Sequence, residues 1–228
     1  MPNSLRNGLS KSAMQALVIN ACIDRLEDFR KYTDELDSKF HSDKQALINS
    51  YDLPRENFGR DEHEYQEIME FLSDDVSQIE NVFVGTFRRS TVVSLYSFLE
   101  KQMVMLCKRL KKKDDLPISL ADLQKSGVEG SRIYLSKIAG LDFQSDGMNG
   151  YWVDLMKFNK VRNLIVHEEG YVKRSEPPAE LTSLEVIIRD TSGLSYSWNN
   201  QITVERAFID STIDTIEKFL TSLYKQAL

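Results

Sequence analysis

Apolar residues recur three and four positions apart over most of the chain, a spacing that places them on one side of an α-helix. The first such run starts after Ser10, a suitable N-cap, and extends to Leu36. Further runs predict helices over 61–84, 86–112 and 204–227. The pattern therefore predicts a mainly α protein in which amphipathic helices pack together as a bundle.

Glycine, proline and polar residues interrupt this helical pattern at three places. Residues 41–60 are predicted to form a loop with one helical turn, and Gly85 is predicted to break the second helix from the third. Residues 114–147 contain Pro117 and several glycines, which predicts an irregular insertion with short helices around 119–125 and 131–139. The bundle is therefore expected to carry a less regular segment between its core helices.

A short stretch before the last helix has the composition of β-strands. Residues 184–188 and 195–198 are predicted to pair as strands around a turn at 190–193, with a second turn at 199–200. The chain is thus predicted to be a single domain over 1–228, a helical bundle with a small β-hairpin at about 184–204.

The composition of the chain, 41% hydrophobic and 28% charged over 228 residues, is that of a soluble globular protein. A net charge of −6 argues against a broad nucleic-acid surface, although one groove can still be locally basic.

Cys22 and Cys107 lie inside helical patterns without metal-ligand spacing, which predicts buried free thiols in a reducing compartment. No signal peptide and no stretch long enough to cross a bilayer are recognised, so the protein is expected to be cytoplasmic without membrane contact.

Several enzyme classes lack their sequence motifs in this chain. It contains no phosphate-binding Gly-rich loop, no dinucleotide-binding fingerprint and no His-Glu-x-x-His zinc motif. His41 and His63 have no partner at ligand spacing, so no metal and no cofactor are expected.

The hexapeptide at 162–167 reads Arg-Asn-Leu-Ile-Val-His. An arginine can bind phosphate oxygens and a histidine can transfer protons near neutral pH, so the two together can support phosphodiester chemistry without a metal. A helical projection from Tyr151 predicts that Arg162 lies on the apolar side, where a guanidinium needs a partner or a task. Arg162 and His167 are separated by about 140° around the helix, so a composite site is expected.

Three further polar residues are candidates to support this pair. Asn159, Asn163 and His167 follow one another at intervals of four, which makes a polar strip beside Arg162. Glu100 has apolar helical neighbours, so it either faces inward and orients Arg162 or lies at the rim of the bundle. The basic run at 108–113 is interpreted as a helix C-terminus that complements the dipole, with a phosphate-binding patch as the alternative.

With these residues, the chain resembles the HEPN domain family, whose signature is an arginine followed four to six residues later by a histidine. The resemblance implies an all-α bundle that dimerises around the motif helices and, in many members, an endoribonuclease that needs no metal. Such enzymes act as toxins of toxin–antitoxin pairs and in antiviral defence, so RNA, a second copy and an antitoxin are the implied partners. Members that pair with a nucleotidyltransferase antitoxin often have a tyrosine two residues after the histidine, where this chain has Glu169.

Two interpretations of the motif remain open from the sequence. In the first, Arg162 and His167 are the catalytic pair of a homodimer whose interface uses apolar side chains of the motif helix, namely Tyr151, Trp152, Leu155 and Phe158. In the second, the pair is structural, and the same surface is a non-catalytic dimerisation or protein-interaction module. Basic residues around the motif would favour the first, and an apolar cover over His167 the second.

Overall fold

The computed structural model describes residues 10–51, 62–145, 147–172, 181–197 and 199–228, most of which are helical. The α-helices are α1 (Lys11–Ser50), α2 (Glu62–Ser77), α3 (Gly85–Lys113), α4 (Gly127–Ile133), α5 (Met148–Glu168), α6 (Ser183–Asp190) and α7 (Arg206–Ala227). Two strands, β1 (Leu194–Tyr196) and β2 (Ile202–Val204), form an antiparallel hairpin just before α7. The predicted fold class, mainly α with a small hairpin before the last helix, is confirmed.

Helix α1 is longer than the sequence pattern predicted. Residues 41–50 continue the helix instead of forming a loop, and the rest of that predicted loop, 52–60, lies outside the described residues. The prediction was wrong because a helix needs no strong apolar pattern when nothing breaks it, and 11–50 contain neither glycine nor proline. This extension contacts α2.

Gly85 does not break the helix as predicted. Its backbone is helical, with φ −59° and ψ −47°, and a π-helical segment, Gln78–Val84, joins α2 to α3 without a turn. A glycine costs a helix about 1 kcal/mol relative to alanine but does not forbid it. A Cβ built at Gly85 would lie 3.1 Å from Nη1 of Arg89, so the missing side chain leaves room for that guanidinium.

The first predicted strand, 184–188, is a helix. The Thr182 side chain and the Glu185 carboxylate bond reciprocally to each other's backbone NH groups, a capping box that starts α6. The apolar residues at 184, 187 and 188 then share one helical face, so the run that looked strand-like follows the helical period. The hairpin instead pairs Leu194 with Val204, and the predicted second turn at 199–200 is the hairpin turn.

One hydrophobic core joins α3, α5 and α7, with α1 packed against α7. The segment predicted to be an irregular insertion contains α4 and a π-helical turn, Tyr134–Ile138, and contributes four buried side chains to this core, those of Val128, Tyr134, Leu135 and Phe143. The prediction of two buried free thiols is confirmed, and burial raises the pKa of Cys107 to about 11.

Arginine–carboxylate pairs reinforce the contact of α1 with its neighbours. Arg206 of α7 lies 2.7 Å from Asp34 and 3.6 Å from Asp37 of α1, and Arg88 of α3 lies 3.0 Å from Asp37. Arg30 of α1 contacts Asp214 of α7. Within the described ranges, no helix combines the length and the hydropathy that crossing a membrane requires.

Candidate functional site

The buried stripe of α5 winds around the helix. Its buried residues follow one another at intervals of three after Trp152, namely Leu155, Phe158, Val161 and Leu164. Because an α-helix has 3.6 residues per turn, each step of three turns the buried side by about 60°. Near the motif the stripe has therefore moved to Val161 and Leu164.

The structure corrects one prediction about the motif helix. Trp152, Leu155 and Phe158, predicted to supply a dimer interface, are at most 5% exposed and belong to the core. The helical period identified an apolar face, but it could not tell whether that face packs inside one bundle or against a second copy. Arg162 is half-buried beside this stripe.

The Arg162 guanidinium is held by an aromatic ring and an amide. Its Cζ atom lies 4.8 Å from the ring centroid of Tyr96 on α3, a cation–π distance. Its Nη1 donates a hydrogen bond of 2.9 Å to Oδ1 of Asn163, and its Nε is buried without a hydrogen-bond partner in the described structure. These contacts fix the orientation of the guanidinium while leaving it without a neutralising charge.

An open groove of about 520 Å³ surrounds Arg162 between α3, α4 and α5. Four of the five predicted site residues line this groove, with His167 as the exception. They are Glu100 on α3 and Asn159, Arg162 and Asn163 on α5. Lys125 and Glu129 also line it and pair with each other at 2.7 Å. The structure therefore brings the predicted polar residues together around Arg162.

Glu100 lines the groove but does not bind Arg162. Among the residues that the structure describes, no carboxylate lies within salt-bridge distance of this arginine, so the direct pairing, one of the two alternatives for Glu100, is not seen. Burial, and then the nearby charge of Glu100, raise the pKa of Tyr96 to about 12, against the opposing charge of Arg162. Tyr96 is therefore protonated at neutral pH.

His167 stands apart from this groove. It is exposed one residue before the end of α5 and does not line the Arg162 groove. Arg162 and His167 are thus not assembled into one site within the chain, in agreement with their predicted angular separation. Neither of the two observations that would decide between the interpretations is made. Carboxylates share the Arg162 groove with the cations, and His167 is not covered by an apolar residue of the described ranges.

The hairpin fixes the end of α5 beside His167. Glu169 closes the helix in the left-handed conformation, with φ 52°, and Gly170 follows with φ 84°, a conformation common where helices end. Gln201 Nε2 donates to the Glu169 carbonyl at 2.9 Å, and Ile202 N donates to the Gly170 carbonyl at 2.8 Å. These bonds satisfy carbonyl groups that a helix C-terminus leaves unpaired.

Sequence reasoning missed Tyr96, Lys125 and Glu129 as groove residues. Tyr96 precedes Glu100 by four residues, which puts both on the same face of α3, so the helical period could have found it. Lys125 and Glu129 come from the segment predicted to be irregular, and no pattern in the sequence indicated that this segment returns to the motif helix.

The other cationic candidates take structural positions. Lys113 at the end of α3 donates to the carbonyl of Ala227 at 3.2 Å, and Lys111 bonds the carbonyl of Leu116, which fits the interpretation of the basic run as a helix end. His41 lies on α1, instead of in the predicted loop, and His63 lies on α2. In the part of the chain that the structure describes, no three His, Cys, Asp or Glu side chains converge as metal ligands would.

Comparison with known proteins adds no assignment to this geometry. No protein-family model, no curated protein and no solved structure matches the chain.

Proposed function

We propose that the chain is a metal-independent endoribonuclease of the HEPN type, in which Arg162 and His167 act in a composite site between two copies. The observation that carries the proposal is the state of Arg162. It is a half-buried guanidinium, fixed by Tyr96 and Asn163 at the wall of an open groove, with no carboxylate bound to it in the described structure. A cation held in this way is ready to bind an anion such as a phosphate.

In this proposal the two motif residues have separate chemical roles. The 2′-oxygen of a ribose attacks the adjacent phosphorus, the bond from phosphorus to the 5′-oxygen breaks, and a 2′,3′-cyclic phosphate forms. His167 accepts the proton of the 2′-hydroxyl and returns a proton to the leaving 5′-oxygen. Arg162 stabilises the charge that grows on the phosphoryl oxygens, and Asn163 keeps its guanidinium in place.

The proposal requires a second copy because of the distance between the motif residues. Arg162 and His167 are five residues apart on α5, which is about 7.5 Å along the helix axis and about 140° around it. A two-fold axis beside the exposed end of α5 would bring His167 of one copy towards the groove of the other. Val166, which is 44% exposed, lies between the two residues and would be covered in such a dimer.

The test is incubation of the purified protein with RNA in excess EDTA, followed by analysis of the fragment ends. We expect cleavage to persist and to leave a 2′,3′-cyclic phosphate and a 5′-hydroxyl, since the proposed chemistry uses only side chains. Loss of activity in EDTA, with recovery after addition of Mg²⁺ or Mn²⁺, would refute the mechanism.

A non-catalytic interaction module of the same fold is the second candidate. The observation that favours it is the presence of two carboxylates in the lining of the Arg162 groove, since Glu100 and Glu129 oppose the binding of a polyanion. In that case the groove receives a partner protein, and a role as a toxin or in antiviral defence would need that partner. Purified protein that is correctly folded but neither binds nor cleaves RNA would favour this candidate.

A further inference from the structure

A second arginine without an ion-pair partner lies beside the same motif helix. Arg89 of α3 is half-buried, and burial lowers its pKa. Its only hydrogen bond within the described structure joins Nη2 to Oγ1 of Thr86 at 3.4 Å. No described carboxylate approaches it within salt-bridge distance, although Glu80 and Glu169 line the pockets around it. Partial burial of a cation without an ion-pair partner costs hydration free energy. The fold bears this cost at Arg89.

Two glycines make the space that Arg89 occupies. A Cβ at Gly85 would lie 3.1 Å from its Nη1, and a Cβ at Gly170 would lie 3.4 Å from its Cδ. Gly170 directly follows the end of α5, so the aliphatic part of Arg89 packs against the terminus of the motif helix. The side chain is therefore held in place rather than free to move in solvent.

Arg89 stands where α3, the end of α5 and the hairpin meet. Arg89 lines two pockets. One of them is a groove of about 440 Å³ whose lining includes hydroxyl and amide side chains, namely those of Thr86, Ser90, Ser94 and Gln201. Such groups donate hydrogen bonds to phosphate oxygens without adding charge. An arginine with several neutral donors beside it can bind a single phosphate group, although Glu169 also lines this groove.

The position of Arg89 relative to Arg162 relates it to the proposed cleavage site. Arg162 stacks on Tyr96, which follows Arg89 by seven residues on α3, so the two α3 positions that carry these sites are about 10 Å apart along the helix axis. Both grooves lie between α3 and α5. A strand with a rise of about 3.4 Å per nucleotide would span this distance in about three nucleotides.

We propose that Arg89, with Ser90, Ser94 and Gln201 around it, binds a backbone phosphate of a single-stranded RNA whose scissile phosphate lies at Arg162. The inference rests on the proposed function for the identity of the strand. The same charge and hydrogen-bond donors could bind a free phosphate, whether or not the protein cleaves RNA.

The experiment measures binding separately from cleavage. The probe is a single-stranded 12-nucleotide RNA in which every ribose carries 2′-fluorine, which removes the attacking hydroxyl, and binding is followed by fluorescence anisotropy. We expect Arg89→Met, which keeps the aliphatic packing on Gly170, to weaken binding about tenfold. It should also reduce the slope of log K against log salt by about 0.7, the value for one phosphate contact on a single strand. Arg89→Lys should recover part of the loss, because it keeps the charge but not the planar fork.

The matched control is Arg25→Met, which removes the same charge from an exposed site on α1, where Arg25 lies 3.4 Å from Asp28. It should leave both the affinity and the salt slope unchanged. If the wild-type protein binds the oligonucleotide and Arg89→Met binds it equally well with the same slope, the Arg89 site is refuted while the proposed nuclease stands.

Failure of the wild-type protein to bind the oligonucleotide would instead count against the proposed function. The Arg89 site is then tested separately by titration with inorganic phosphate at constant ionic strength. The NMR signal of the Arg89 Nε–H group is followed. A saturable shift of this signal that phosphate produces and chloride does not identifies a site for a free phosphate. No shift refutes the site for both sources.

Discussion

Arg162 and His167 occupy unlike surroundings although they belong to one helix. Arg162 is held between Tyr96 and Asn163 at a groove wall, whereas His167 is exposed at the helix end. Substitution of the first therefore changes contacts within the chain, and substitution of the second changes almost none. The two residues should separate effects on stability from effects on activity.

His167→Ala should abolish proton transfer without affecting the fold. We expect the rate of RNA cleavage to fall by about 10²-fold or more, with a melting temperature close to that of the wild type because the side chain is exposed. The control is His63→Ala, which removes an exposed histidine on α2 that lies 3.5 Å from Glu67. Cleavage at the wild-type rate by folded His167→Ala protein would refute the assignment.

Arg162→Ala should destabilise the protein only slightly. Because Glu100 does not pair with Arg162, the substitution strands no buried carboxylate, and the loss is limited to about 1 kcal/mol for the cation–π contact. Urea denaturation of Arg162→Ala, Tyr96→Leu and the double variant measures this coupling. A loss of 3 kcal/mol or more from Arg162→Ala alone would mean that a buried ion pair exists.

At the scale of elements, the helical period of the apolar residues predicted most of the helices. The errors arose where local interactions outweighed residue propensities. The chain from 184 to 188 is rich in β-branched residues, yet the capping box of Thr182 and Glu185 starts a helix there. Gly85 is a helix breaker by propensity, yet the chain is helical there, and Arg89 lies over it. The groove around Arg162 could be predicted only in part, since Lys125 and Glu129 reach it through tertiary packing.

Gly170→Ala should loosen the junction between α5 and the hairpin. Its φ of 84° is unfavourable for alanine, and the new Cβ would lie 3.1 Å from Cγ2 of Ile202. We expect the free energy of unfolding to fall by about 1–3 kcal/mol.

Gly150→Ala is the matched control for this substitution. Gly150 lies on the same helix, and a Cβ there meets no heavy atom within 4 Å. This change should stabilise the protein by about 0.5–1 kcal/mol, because alanine favours the helix over glycine. Equal effects of the two substitutions in urea denaturation would contradict the role given to Gly170.

At the scale of the whole molecule, the proposed composite site requires self-association. The aromatic residues once expected at the interface belong to the core, which leaves the exposed end of α5 as the contact surface, with Val166 at its centre. Val166→Asp would place a charge in that contact, so we expect it to convert a dimer into a monomer and to reduce cleavage in parallel.

The control for this prediction is Val153→Asp, which changes an equally exposed valine of α5 about 140° away around the helix. Its molecular mass should remain that of the wild type in sedimentation or light scattering. A wild-type protein that is monomeric at micromolar concentration would remove the basis of the composite site.

The winding stripe on α5 has a mechanical consequence. Trp152 packs near Phe219 of α7, with ring centroids 6.2 Å apart, whereas Phe158 packs near Tyr96 of α3 at 5.6 Å. Phe158 also lies near Phe208 of α7, at 6.4 Å, so the buried side of α5 contacts both neighbouring helices. Any movement of α5 relative to α3 and α7 would pull Val161 and Leu164 out of the core. Any rearrangement that brings His167 into register with a substrate should therefore move the two copies as rigid bodies and leave α5 fixed in its own bundle.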